Sequence, residues 1–135
     1  MEQLKIILSP KTRGFHLITE EVTRHLPALP ENGLLHLFIQ HTSAGICINE
    51  NADPTVLTDM QKWFNKNIKE NEPYYEHTLE GPDDMPAHIK SVLTGTELTI
   101  PIMTGKLALG TWQGIYLCEF RNQARSRSLL GSIIT

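Results

Sequence analysis

The chain has 135 residues, 40% of them apolar and 20% charged, with a formal net charge of −3. That length suits a single domain over 1–135, able to bury roughly two-thirds of the surface its unfolded form exposes. The negative balance supplies no global basic field for nucleic acid or an anionic membrane, and no apolar run approaches the ~20 residues needed to span a bilayer.

Taken in chain order, "LKIIL" (4–8) and "GFHLIT" (14–19) predict strands. "TEEVTRHLPAL" predicts a short helix with Thr19 as N-cap and two glutamates in its first turn. Asn32-Gly33 marks a turn into the strand "LLHLFIQ" (34–40), and "ICIN" (46–49) follows across the break "HTSAG". The helix signal is strongest from Asp53: Asp53 caps, Pro54 suits the first helical position, and Val56, Leu57, Met60, Trp63, Phe64 and Ile68 recur at helical spacing. A second helix is expected from near Pro86 to Gly95. "TELTIPIM", "KLALG", "GIYLCEF" and "RSLLGSII" then read as strands. About seven strands and two or three helices, without βαβα alternation, predict an α+β domain. Cys47 and Cys118 lie in apolar segments and read as buried reduced thiols, which with the absence of a charged-then-apolar opening predicts a cytoplasmic protein.

Several polar groups stand where chemistry is feasible. In "QHTSAG", His41, Thr42 and Ser43 meet small residues at a strand end, where a ligand can approach; equally, the hydroxyls can satisfy turn backbone groups. Glu50 has no local partner evident and reads as a general base, a metal-binding carboxylate or a solvated acid. "EHTLEGPDDMPAH" (76–88) places His77 and His88 eleven residues apart around a Gly-Pro turn. A neutral imidazole near a helix start suits a divalent metal, and His41, His77 and His88 would form a site if the turns bring them together. Asp83 and Asp84 are explained as charges at a helix start, with Asp84 also a candidate metal or catalytic acid. His16, His25 and His36 sit in ordinary strand or helix patterns and read as structural.

On "GTWQGIYLCEFR", strand alternation places Glu119 and Arg121 on one side with Leu117. They read as an ion pair or as contacts to a polar ligand, with Arg121 the natural phosphate clamp. Arg125 and Arg127 add local positive charge. Trp112 suits stacking on a heterocycle, a core position or a subunit interface.

Together, "QHTSAGICINENADPTV", "EHTLEGPDDMPAHIKS" and "GTWQGIYLCEFR" resemble the YjbQ-like family, whose members are often called secondary thiamine-phosphate synthases. The likeness runs from "TRGFHLIT" to the final strands, although relatives commonly carry serine where this chain has Gly45. The resemblance implies an α+β fold on a mixed, mainly antiparallel sheet or sandwich-like core, a homotrimer, and sites near subunit boundaries. It also implies a divalent metal, zinc or magnesium, at His41, His77 and His88. The implied reaction joins a pyrimidine diphosphate to a thiazole phosphate, as a weak or secondary activity. In that reading Arg121 and the metal stabilise the departing diphosphate, Glu50 or Asp84 completes the metal shell, and Thr42, Ser43, Trp112 and Glu119 contact substrate. Two other classes fit the same residues: a metal-dependent hydrolase with Glu50 or Asp84 as base, and a non-catalytic trimer that binds a small phosphorylated metabolite.

Overall fold

The computed structural model describes residues 1–135. Its elements run β1 (Glu2–Ile7), β2 (Gly14–Leu17), α1 (Thr19–His25), β3 (Asn32–Ile39), β4 (Ala44–Glu50), α2 (Pro54–Asn67), α3 (Asp84–Thr94), β5 (Glu97–Met103), β6 (Lys106–Leu107), β7 (Gln113–Glu119) and β8 (Ser128–Ile134). Two sheets form, one of five strands in the order β1-β8-β3-β5-β6 and one of three in the order β2-β7-β4. Every ladder is antiparallel, so of the expected mixed, mainly antiparallel sheet or sandwich-like core the sandwich-like form is the one found, with no parallel pairing.

The sheets face one another across a cluster of fifteen buried apolar residues. Leu35, Leu37 and Ile100 enter it from the larger sheet and Ile46, Ile115 and Leu117 from the smaller. Full burial of each such side chain contributes about 1.5–3 kcal/mol. The other face of the smaller sheet is covered by helices. Phe15 of β2 lies 5.6 Å from Phe64 of α2 and 6.1 Å from Phe120, ring centre to ring centre. Ala87 of α3 packs with Cys118 and Phe120. The result is three layers, sheet on sheet on helices, with β7 in the middle and buried from Gly114 to Glu119. Cys47 and Cys118 are both free, with sulfurs 3.5 Å apart.

Local chemistry explains most element boundaries. The Asp53 carboxylate accepts the Thr55 N–H at 2.9 Å and Pro54 opens α2, as expected. Thr104 and Gly105, both at positive φ, form the two-residue turn between β5 and β6. Four expectations change. Asn32 and Gly33, expected as a turn, are the first residues of β3 and pair with Met103 and Ile102. Thr19 is the first residue of α1 and does not cap it; its hydroxyl accepts the Ile115 N–H at 2.9 Å. "KLALG" contributes only the two residues of β6. The third helix starts at Asp84 rather than near Pro86, which puts His88 one full turn inside it. No helix is long and apolar enough to cross a membrane.

Helix α3 is docked onto β4 at Gly45. A Cβ there would stand 1.9 Å from Thr94 Oγ1 and 3.0 Å from the Gly95 carbonyl oxygen. The Ser91 hydroxyl donates to the Ala44 carbonyl at 2.8 Å in the same contact. Any side chain larger than hydrogen at position 45 therefore needs a different neighbour at position 94. Gly45→Ala is expected to cost about 1–3 kcal/mol of stability through overpacking. Adding Thr94→Ala should recover part of that loss in denaturant unfolding, and an unchanged midpoint for Gly45→Ala would contradict the close docking.

Candidate metal centre

Asp84 opens α3 and His88 follows one turn later, so both side chains lie on the same helix face. The loop after α2 brings His77 to them. His77 Nε2 lies 2.6 Å and His88 Nε2 3.1 Å from the same oxygen, Oδ2 of Asp84. The imidazole centres are 5.2 Å apart. One ligand atom from each of the three residues falls within 4.8 Å of the others. Asp84 itself is 2% exposed.

The surroundings orient these groups. His88 Nδ1–H donates to the Thr42 carbonyl at 2.8 Å, which fixes the ring with Nε2 turned to Asp84. A backbone carbonyl behind the imidazole is a common support for a metal-ligating histidine. The Arg121 guanidinium spans three acceptors: Asp84 Oδ1 at 2.7 Å, Asp83 Oδ2 at 2.8 Å and the Glu80 carbonyl at 2.9 Å. The Asn122 N–H adds a bond to Asp83 at 2.9 Å.

Burial alone would raise the Asp84 pKa, but the His77 hydrogen bond and the charges of His88 and Arg121 outweigh it and hold the carboxyl below its usual range. Asp83 is similarly lowered against its burial, by the Asn122 N–H and Arg121. Arg121 is raised, chiefly by its bond to Asp83. Two imidazoles and one anionic carboxylate are a donor set for a divalent transition ion such as zinc, with positions left open for other ligands.

The expected site residues divide into separate places. His77, His88, Asp84 and Arg121 come together. His41 is not in the metal cluster, and Asp84 takes the place expected for a third histidine. His41 Nε2 accepts the Ser128 N–H at 2.8 Å, and its pKa is lowered by burial and by Arg127. Thr42 contributes its carbonyl to His88, while Ser43 gives its carbonyl and hydroxyl to Arg127 at 3.3 and 3.0 Å. Glu119 does not pair side chain to side chain with Arg121. It is fully buried and held by two bonds from Arg127, at 2.7 and 2.5 Å.

Glu50 and Trp112 lie at the other end of the β4–β7 ladder, where Glu50 pairs with Gln113 and Ala44 with Glu119. Six residues of strand separate the two ends by ~20 Å, so within one chain neither reaches the cluster. Glu50 accepts the Asp53 N–H at 3.2 Å, and Trp112 is 63% exposed. His16, His25 and His36 engage a backbone carbonyl, a backbone carbonyl and Glu97, consistent with structural roles. Asp83 stands at the helix start as expected, but its carboxylate clamps Arg121 and makes no side-chain cap. Arg127, read from the sequence only as local positive charge, is the buried partner of Glu119. Its signal was the alternation of β7, which puts Glu119 on the core-facing side with Ile115 and Leu117, where a buried carboxylate requires a cation.

Arg121→Gln leaves two buried carboxylates without their cation and is expected to cost on the order of 3 kcal/mol at neutral pH. Because the folded-state pKa values of Asp83 and Asp84 are depressed, their stabilisation is complete above the ordinary carboxylate range and is lost as pH falls through the folded values. The stability gap between wild type and variant should therefore narrow below about pH 4. A gap independent of pH would show that Arg121 acts through packing alone.

The comparisons with known proteins agree with this architecture. The family model described as "UPF0047 protein YjbQ-like" matches residues 3–135. The UPF0047 protein YjbQ of Salmonella typhimurium is 51% identical, over 97% of this chain and 96% of its own. Its counterpart in Escherichia coli O157:H7 is 47% identical with the same coverage. Among solved structures, the conserved hypothetical protein TT1486 of Thermus thermophilus aligns with a TM-score of 0.85 at 34% identity, covering 97% of this chain and 99% of its own. An uncharacterised YjbQ/UPF0047 protein of Clostridium acetobutylicum aligns with a TM-score of 0.78 at 37% identity, covering 99% and 100%. With the match spanning both sheets and the His77–Asp84–His88 cluster, the chain belongs to the YjbQ-like UPF0047 family.

Proposed function

We propose that the chain is a metal-dependent transferase for phosphorylated small molecules, joining a pyrimidine diphosphate to a thiazole phosphate as a secondary-type activity. The observation that carries this reading is the convergence of His77, Asp84 and His88 beside the Arg121 guanidinium. In the reaction the carbon–oxygen bond of the pyrimidine methylene breaks and its electron pair leaves with the diphosphate. The thiazole nitrogen lone pair then forms the new carbon–nitrogen bond. His77, Asp84 and His88 would hold a divalent ion, which would supply positive charge for the departing diphosphate. The imidazole-rich set suits zinc more than magnesium, which favours oxygen ligands. Arg121 supplies a fixed cation beside that position.

The second reading, metal-dependent hydrolysis of a phosphorylated or ester substrate, draws on the three-ligand open set typical of sites that activate water. It requires a base, and both acids at the centre are engaged. Asp84 meets His77, His88 and Arg121, and Asp83 meets Arg121 and Asn122. Attack by an unprotonated thiazole nitrogen needs no base, which favours transfer.

The reading takes the working form as a cytoplasmic homotrimer. Two free thiols suit a reducing compartment. Leu34, Phe38 and Ile134 are each about 40% exposed on the five-stranded sheet, with Leu34 paired opposite Ile134, an apolar surface that subunit contact would cover.

Elemental analysis is expected to find one divalent ion per chain, abolished by His77→Ala or His88→Ala and retained by His41→Ala. Supplied with both substrates, the metal-loaded protein should form thiamine phosphate at least tenfold faster than His88→Ala. Equal rates would reject the transferase, release of phosphate without coupling would favour the hydrolase, and saturable binding without turnover would leave a binding protein.

A further inference from the structure

Arg121, which meets Asp84 at the candidate metal centre, also lines a cavity of about 390 Å³. The segment 121–127, between β7 and β8, forms one wall; His41 and Ser43 form another. Three arginines line it, and they differ in their commitments. Arg121 is bound to Asp83 and Asp84, and Arg127 to Glu119 and Ser43. Arg125 is exposed and makes no ion pair or hydrogen bond within the protein.

The backbone adds donors. Arg121 N–H is bonded to Glu119, Asn122 N–H to Asp83 and Ser128 N–H to His41. Between them, none of the five backbone N–H groups from Gln123 to Arg127 donates to an acceptor in the chain. His41 accepts a hydrogen bond on Nε2, so its neutral ring carries its proton on Nδ1 and offers one more donor. No acidic side chain lines the cavity.

We propose that this cavity is an oxyanion subsite that holds the phosphate or diphosphate end of the substrate, independently of the metal. It deepens the preceding reading by locating the phosphate, and rests on that reading only for what the phosphate is attached to. Arg125 supplies the charge that no protein acid neutralises, the amides of 123–127 and the His41 ring supply directional donors, and Arg121 joins the subsite to Asp84. A phosphate has acceptor oxygens for several such donors at once, and charge-assisted bonds of this kind are the strong ones.

The test uses metal-stripped, full-length protein labelled with nitrogen-15 and titrated with inorganic pyrophosphate, then with inorganic phosphate. Saturable shifts are expected in the amides of residues 123–127. Arg125→Gln should weaken pyrophosphate about tenfold, while Arg24→Gln, a surface change on α1, leaves it unaltered. His77→Ala, which removes a metal ligand, should retain the wild-type pyrophosphate affinity. Shifts confined to other regions, absence of saturation, or an Arg125→Gln affinity equal to wild type would each overturn the subsite. Pyrophosphate binding in a protein that takes up no metal would uphold the subsite and reject the metal centre, so the two readings fail separately.

Discussion

A single buried carboxylate, Asp84, holds the candidate site together. Taking a carboxylate out of water is costly unless several donors replace the lost hydration. Here one oxygen meets two imidazole nitrogens and the other meets a guanidinium. Those partners come from the loop after α2, from α3 and from the chain beyond β7, so satisfying one acid ties the α2–α3 region to a stretch that follows β7. The site forms only when α3 is seated on β4 and β7 is in place, which makes its geometry a property of the whole fold.

The chain also separates two acid–arginine systems that alternation along one strand might have merged. Arg121 turns to the helix layer and neutralises Asp83 and Asp84, whereas Glu119 turns into the core between the sheets and takes Arg127. His41 belongs with the second system, through Ser128 and the field of Arg127. Motif histidines that look equivalent as residues thus have different chemistry. His77 and His88 face a carboxylate, which favours a bound cation. His41 faces an arginine, which disfavours one.

Much of this was legible beforehand, for physical reasons. Periodicity marked α2 and the strands because each buries one regular face, and the cap at Asp53 needs only local chemistry. The pairing of His77 with His88 could be anticipated because the Gly-Pro turn folds the intervening residues back. What could not be read was long-range. The exclusion of His41 depends on the Ser128 N–H, eighty-seven residues away. The distance of Glu50 from Asp84 depends on strand register, which no local pattern states. The start of α3 was placed too late because Pro86 resembles a first helical residue, while Asp83 spends its carboxylate on Arg121 instead of capping. The α+β class and its YjbQ-like character carry through, with all ladders antiparallel.

The sheet orders carry a consequence for how the protein is made. The last two strands are both insertions: β8 lies between β1 and β3, and β7 between β2 and β4. During synthesis the first four strands therefore emerge without the neighbours that join them, and an interior strand of each sheet arrives only late in the described chain. Contacts of such high sequence separation slow folding and keep apolar strand edges open in the interim. Completion of both sheets is thus a late event, and Arg121 and Arg127 lie in the segment between the two strands that close the fold.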